Sequence, residues 1–383
     1  MKKTLAILLA LVMVMSLAAC GSNDSGKDGP GNGGTAGTPE DGYKIAMITD
    51  WGDITDQSFN QTTYEVCKAF ADENGIPFNY YKPSGNSTAE RIAMVDAAVA
   101  DGYNVIVMPG YAFGETLAEC ADSNPDVKFI ALDVAEGEGG FTATENVYSA
   151  IYQEELSGYM AGYAAVKMGC KHLGFLGGKA VPTVQRFGYG FLQGVDAAAA
   201  ELNIVSDVTV EYIYGGAFSG DADITAVMDA WYAEKGGEGV VACGGGIGTS
   251  AAEAAAKVGG KIIGGDSDQA PVIDGMYRAE GMTLTSAMKG LAPTIRDTLS
   301  AIILEGKWAD YAGRIESLGL VSADPEVNYV QLPMQSTQWC DTFTQEDYKA
   351  LVAAMFEGTL TVSGDITAMP DTAVTVNTYD KIK

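Results

Sequence analysis

An α/β fold of two similar lobes, each built on a parallel sheet and joined across a hinged cleft, is what three features of this 383-residue sequence predict. Short apolar runs alternate with longer amphipathic ones, as strands buried on both faces alternate with covering helices. The whole alternation restarts midway along the chain. The ends of the short runs carry aspartates and glycines in both halves, at the edge where open α/β sheets bind ligands.

The first series of strands is Lys44–Asp50 (KIAMITD), Phe78–Lys82, Asn104–Pro109 and Lys128–Asp133. Helical stretches at Phe59–Glu73, Ala89–Asp101 and Phe113–Ser123 separate them. The second series is His172–Gly177, Val208–Tyr214, Gly239–Cys243 and Lys261–Asp266, with helices at Arg186–Leu202, Asp221–Glu234 and Thr249–Val258. Mostly apolar strands of five to seven residues between helices describe Rossmann-like βαβ units, and two such sets describe two lobes. Gln153–Gly169 is read as the junction. A helix over Ala287–Leu304 opens a last segment that returns to complete the lobes. The expected boundaries are 43–160 for the N-terminal lobe, 161–283 for the C-terminal lobe and 284–383 for the returning segment.

The beginning of the chain reads as an export signal. Lys2 and Lys3 precede an apolar run, Leu5–Ala19, that is shorter than the roughly 20 residues a bilayer span needs. It ends in Leu17-Ala18-Ala19-Cys20-Gly21, similar to the bacterial lipobox. That similarity implies that residues 1–20 are a lipoprotein signal peptide and that Cys20 carries the lipid; ordinary cleavage beside an incidental Cys is the alternative. Residues 21–42 are rich in Gly, Ser, Asn and Asp and form a flexible tether with a reach of about 25 Å. The expected location is the extracytoplasmic face of the cell membrane, lipid-anchored. The other five cysteines are scattered and odd in number, which suits small buried side chains better than a disulfide framework.

Charge and composition narrow the function. Lys and Arg number 23 against 50 Asp and Glu, a net charge of −27, which argues against nucleic-acid binding. One histidine, His172, leaves no His-based metal cluster and little basis for a Ser-His-Asp enzyme. Gly244-Gly245-Gly246-Ile247-Gly248 follows a strand and precedes Asp266 by 18 residues, a loose match to a dinucleotide fingerprint. Export removes the usual dinucleotide pool, so the glycines are read as admitting a ligand to the backbone, and no cofactor is expected. An extracytoplasmic hydrolase such as a nucleosidase is the enzyme alternative, but no activated nucleophile is evident.

Strand ends place Asp50, Gly110, Asp133, Gly177, Gly244 and Asp266 at one kind of edge, although each aspartate also suits a helix cap. Ser58 is a cap or a cleft residue. Phe59, next to Asn60, is a core ring or a stacking face beside an amide; Trp51 is its rival, and Phe218 offers a ring from the other half. Lys289 is a solvated lysine or a partner for Asp266.

Lys44–Phe70 (KIAMITDWGDITDQSFNQTTYEVCKAF), with Asp56-x-Ser58-Phe59-Asn60-Gln61 as its most specific piece, resembles the basic membrane protein family of substrate-binding lipoproteins. Phe129–Asp133 (FIALD), Glu155–Gly169 (ELSGYMAGYAAVKMG), Gly177–Gly194 (GGKAVPTVQRFGYGFLQG), Gly264–Gln269 (GGDSDQ) and Thr285–Lys289 (TSAMK) extend the likeness, in order, over residues 44–320. The resemblance implies a type I periplasmic-binding-protein fold that captures a nucleoside, a purine foremost, for an ABC transporter permease; a monomer is expected. It implies Phe59 and Phe218 as the rings around the base, and Asp50, Asn60 and Asp133 as base-facing or orienting groups. It also implies Gly244 and Gly245 as backbone floor, and Asp266 with Lys289 as the ribose clamp. Trp51 departs from the family, where a smaller residue is expected. A sugar or a small signalling molecule is the alternative ligand.

Overall fold

In the computed structural model, residues 42–382 are described, and Cys20, the signal peptide and nearly all of the tether lie outside them. The alternation of the sequence produces two sheets, parallel except for one short antiparallel edge strand in the second. In the first lobe the chain runs β1 (Ile45–Ile48), α1 (Phe59–Asn74), β2 (Phe78–Tyr81), α2 (Thr88–Ala100), β3 (Val105–Pro109), α3 (Phe113–Cys120), β4 (Lys128–Leu132) and β5 (Val147–Tyr152). The second lobe follows with α4 (Glu154–Lys167), β6 (His172–Gly177), α5 (Pro182–Glu201), β7 (Thr209–Tyr214), α6 (Ala222–Glu234), β8 (Gly239–Cys243), α7 (Gly248–Val258), β9 (Lys261–Asp266), α8 (Ala270–Tyr277) and β10 (Thr283–Lys289). The returning segment holds α9 (Leu291–Leu299), β11 (Arg314–Leu318), β12 (Val330–Gln331), α10 (Gln345–Phe356) and β13 (Thr375–Thr378).

Strand order shows the duplication. The first sheet is β11-β5-β4-β3-β1-β2, and the second is β12-β10-β9-β8-β6-β7 with β13 added outside β7. Five positions match, so that β1 corresponds to β6, β3 to β8 and β4 to β9, while the strands outside β5 and β10 differ, β11 running parallel to β5 and β12 antiparallel to β10. In each lobe the order reverses beside the first strand, which opens a crevice at the carboxyl edge. Side chains alternate across each sheet: Ile45 joins the core under α1 and α9, while Ala46 and Ile48 join the one under α2 and α3. The second sheet is likewise covered on both faces.

Helices α4 and α5 pack with their backbones in contact. A methyl group on Gly158, Gly162, Gly190 or Gly194 would come within 2.1 to 2.3 Å of a carbonyl oxygen on the facing helix. Only glycine permits that approach. Because α4 belongs to this second-lobe core, the chain leaves the first lobe at Gln153, earlier than residue 160.

Three crossings join the lobes, at Gln153, at Gly290 and between β11 and β12. They are tied together by backbone hydrogen bonds, Gln153 N–H to Leu318 (2.9 Å), Tyr329 N–H to Gly319 (3.0 Å) and Gly290 N–H to Tyr329 (2.7 Å). A narrow bonded waist of this kind is a hinge.

Three expectations need correction. Ala287–Leu304 is not one helix: Thr283–Lys289 is a strand beside β9, and the helix starts at Leu291 after Gly290. Its Ala, Met and Lys favour helix locally, but parallel pairing in the sheet centre overrides that propensity. Gln153–Gly169 is the helix α4 rather than a plain junction, and Arg186–Leu202 starts one turn earlier, at Pro182. Strand β5 and helix α8 were not expected. Four of the five scattered cysteines are buried and all five are free. No helix among the described residues is long and apolar enough to cross a membrane.

Candidate functional site

The facing carboxyl edges enclose a cavity of about 350 Å³ lined from both lobes. From the first lobe come Asp50 and Trp51 after β1, Phe59 and Asn60 on the first turn of α1, Gly110 and Tyr111 after β3, and Asp133 after β4. From the second come Thr183 and Phe187 on α5, Phe218 after β7, Gly244–Gly246 after β8, Asp266 and Lys289. Asp133 and Asp266, at matching strand ends, share the left-handed φ of 64° that few residues other than glycine adopt. Backbone held this way in both lobes turns each carboxylate sharply at the edge, and such geometry is concentrated at functional sites.

Lys289 is the centre of one end. Its side chain is 2% exposed, and its ammonium contacts the Asp133 carboxylate and donates to Thr183 Oγ1 at 2.9 Å. Glu154 lies 3.5 Å away and Asp266 3.6 Å away. Glu154 also holds Arg186 and accepts from Thr183 at 2.6 Å. Three carboxylates against two cations leave one net negative charge in a buried network. Burial opposes the Lys289 charge, but Asp133, Asp266 and Glu154 outweigh it and raise its pKa. Burial raises the Asp133 carboxyl, with Lys289 opposing. The rings of Phe59, Phe187 and Tyr152 surround the ammonium, with centroids 5.0, 5.4 and 5.7 Å away.

The other end is formed around the N-terminus of α1. Asp56 caps the helix, accepting from the N–H groups of Ser58, Asn60 and Gln61 at 2.9 to 3.0 Å. Ser58, in the cap position, makes no capping bond; its hydroxyl crosses to the other lobe and donates to Asp266 at 2.8 Å. Gln269 Nε2 makes a second crossing, to the Gln57 carbonyl at 3.0 Å. Asp50 Oδ1 accepts from the N–H groups of Trp51 and Gly52, both at 2.7 Å. Burial raises the Asp50 carboxyl, opposed by the hydrogen bonds from Gly52, Trp51 and Asn60.

An aromatic cluster spans the lobes beside this end. Trp51 lies 6.4 Å from Tyr111 and 6.0 Å from Phe218, ring centre to ring centre, and the Lys179 ammonium sits 5.2 Å over the indole.

All nine expected ligand residues line this one cavity, Gly244 and Gly245 with positive φ at its wall. Their grouping differs from expectation. Asp133 stands with Lys289 and Asp266 rather than with Asp50 and Asn60. Phe218 packs against Trp51 and Tyr111, while Phe59 faces the Lys289 ammonium. Sequence reasoning missed Glu154, Thr183, Phe187 and Tyr111. Pro182 is a first-turn helix signal that would have put Thr183 and Phe187 on α5, and Tyr111 directly follows a strand-end Pro-Gly. No signal marked Glu154. Among the described residues, no group of three or more His, Cys, Asp or Glu side chains is placed to hold a metal ion.

Two lobes joined by a narrow waist and facing each other across a lined cavity are an architecture suited to holding a small solute. Solved structures agree on the fold. A solute-binding protein of an ABC transporter system from Aeropyrum pernix matches with a TM-score of 0.64 at 21% identity, over 83% of this chain and 87% of that one. Another, from Conexibacter woesei, gives 0.63 at 22% identity, over 84% and 99%. The family model described as "ABC transporter substrate-binding protein PnrA-like" matches residues 43–317, and the chain belongs to this family. Among its relatives is the "ABC transporter nucleoside-binding protein BmpA" of Lactococcus lactis, 28% identical over 76% of this chain and 81% of that protein. The "Basic membrane protein B" of Borreliella afzelii is 26% identical over 72% and 78%.

Proposed function

We propose that this substrate-binding protein captures a nucleoside, a purine nucleoside foremost, on the extracytoplasmic face of the membrane and hands it to the permease of an importer. Cys20 is the lipid anchor in this reading, and the protein works as a monomer. The name of the Lactococcus relative supports the ligand class.

One observation carries the reading. One cavity joins a polar end, where Asp133 and Asp266 meet Lys289, to a group of rings, Trp51, Tyr111 and Phe218, with Phe59 between them and the ammonium. A ligand with hydroxyls at one end and a flat heterocycle at the other is the natural complement. Asp50 and Asp133 follow strands separated by one other, β3, which sets the two ends about 10 Å apart. A base with N–H groups at one end and a pentose with hydroxyls at the other has that length and that order of donors. Asp133, Asp266 and Lys289 supply acceptors and a donor for vicinal hydroxyls, while Phe59, Trp51, Tyr111 and Phe218 supply flat faces for a base.

The polar network also explains how binding drives closure, since only the closed state presents both ends to one ligand. Titration calorimetry with guanosine, adenosine, cytidine and ribose tests the reading. A purine nucleoside is expected to bind at least about tenfold tighter than ribose, as base stacking contributes roughly 1–3 kcal/mol. Ribose binding without a response to any nucleoside would reject it.

A further inference from the structure

We infer that Gln269 is a positioning residue for ligand capture: it lies outside the cavity lining, and it sets how readily the lobes close by bonding across the cleft to the backbone of Gln57. Two turns face each other there, the cap turn of α1 (residues 56–58) in the first lobe and the turn between β9 and α8 (residues 267–269) in the second. Two hydrogen bonds cross between the lobes here. Ser58 donates to Asp266 at 2.8 Å, and Gln269 Nε2 donates to the Gln57 carbonyl at 3.0 Å. They differ in one respect. Asp266 lines the cavity, so the first bond shares its carboxylate with a ligand, whereas neither Gln57 nor Gln269 is among the lining residues.

Both partners are prepared for this bond. Gln269 is 5% exposed; its side-chain oxygen accepts from the Gly265 N–H at 3.0 Å, and its backbone N–H donates to Ser286 Oγ at 3.1 Å. The Gly265 bond fixes the amide with its nitrogen toward the first lobe. Opposite it, Gln57 takes a left-handed φ of 59°, which a residue with a side chain adopts rarely and at a cost. The Gln61 N–H, which a regular helix would give to the Gln57 carbonyl, goes to Asp56 at 3.0 Å. That carbonyl is thereby left to face Gln269. Both partners belong to the protein and stand apart from the lining, so the bond favours lobe contact by the same amount whatever occupies the cavity. When the lobes part, both groups return to water. The difference is the net value of one hydrogen bond, roughly a two- to tenfold bias toward closure. Apparent affinity scales with the fraction of molecules competent to bind, so the bias passes into affinity without a ligand contact.

Gln269→Glu isolates the crossing. One carboxylate oxygen still accepts from Gly265, and the other faces the Gln57 carbonyl with no proton to give. Gln269→Met removes the crossing without adding charge, while Gln57→Gly keeps the carbonyl and suits the positive φ. Small-angle scattering on the full chain at pH 8, without ligand and at saturating inosine, reads the lobe separation, and calorimetry reads the affinity. Without ligand, both Gln269 variants are expected to show a larger radius of gyration than the wild type, and Gln57→Gly the wild-type radius. Inosine is expected to bring the Gln269 variants back to the wild-type radius and to bind them roughly two- to tenfold more weakly. Gln269 variants that melt like the wild type and share its radius without ligand would overturn the inference, as would a radius that stays enlarged with inosine bound. Failure of the wild type to bind inosine would overturn the nucleoside reading alone, because the ligand-free comparison decides this inference without it.

Discussion

Replacement of Lys289 by Met is expected to lower folding stability by about 3–5 kcal/mol, the usual consequence of removing one partner from a buried charge cluster. The ammonium offsets the mutual repulsion of Asp133, Glu154 and Asp266, of which the nearest contacts it directly. Without it, Arg186 alone faces three carboxylates. The pH dependence has a definite sign. A carboxyl whose folded pKa lies above its unfolded value takes up protons on folding, so stability falls as pH rises through the interval between the two. Burial already moves Asp133 in that direction against Lys289, and loss of Lys289 widens the interval. Denaturant unfolding should show the deficit largest at neutral pH and shrinking on acidification toward the ordinary carboxylate range. Partial recovery in Lys289→Met combined with Asp133→Asn would follow from the same cause. A deficit below about 1 kcal/mol, the value of an exposed ion pair, would contradict the role given to this lysine.

The second large effect concerns Phe59. Its ring is 8% exposed, lines the cavity and lies 5.0 Å from the Lys289 ammonium, so it belongs both to the core and to the ligand wall. Phe59→Ala is expected to weaken purine nucleoside binding by about 1–3 kcal/mol, the range for loss of one stacking face. Truncation of a buried Phe costs about 3–5 kcal/mol of stability in its own right. Phe59→Leu separates the two effects, since it fills much of the space and lacks the flat face. Weaker binding in a Leu variant of near-native stability is the expected outcome. Unchanged affinity would shift the stacking role to Trp51 and Phe218, which already approach each other across the cleft.

What the sequence revealed follows a physical division. Strands buried on both faces, such as Val105–Pro109 and Lys128–Leu132, announce themselves as apolar runs, and with them come the edges where Asp50, Asp133 and Asp266 stand. The family likeness brought Phe59, Phe218 and Lys289 onto the same cavity. Pairings set by the sheet rather than by local preference stayed hidden. Ala287–Lys289 reads as the start of a helix, yet it is the end of the strand Thr283–Lys289 because β9 lies beside it. Side-chain partnership was hidden for the same reason. Ser58 sits where a cap belongs, and only the approach of the second lobe, 208 residues away in sequence, diverts its hydroxyl to Asp266. Glu154 was invisible because its role depends on the close packing of α4 against α5. The glycines that allow this packing, Gly158 and Gly190 among them, were in view without a partner assigned to them.

A retention experiment confronts the account most directly. The protein is mixed with an equimolar set of nucleosides, pentoses, hexoses and amino acids, passed through a desalting column, denatured, and the released small molecules are identified by mass spectrometry. The account predicts one purine nucleoside retained per chain. Retention of a sugar or an amino acid while every nucleoside washes through would contradict it.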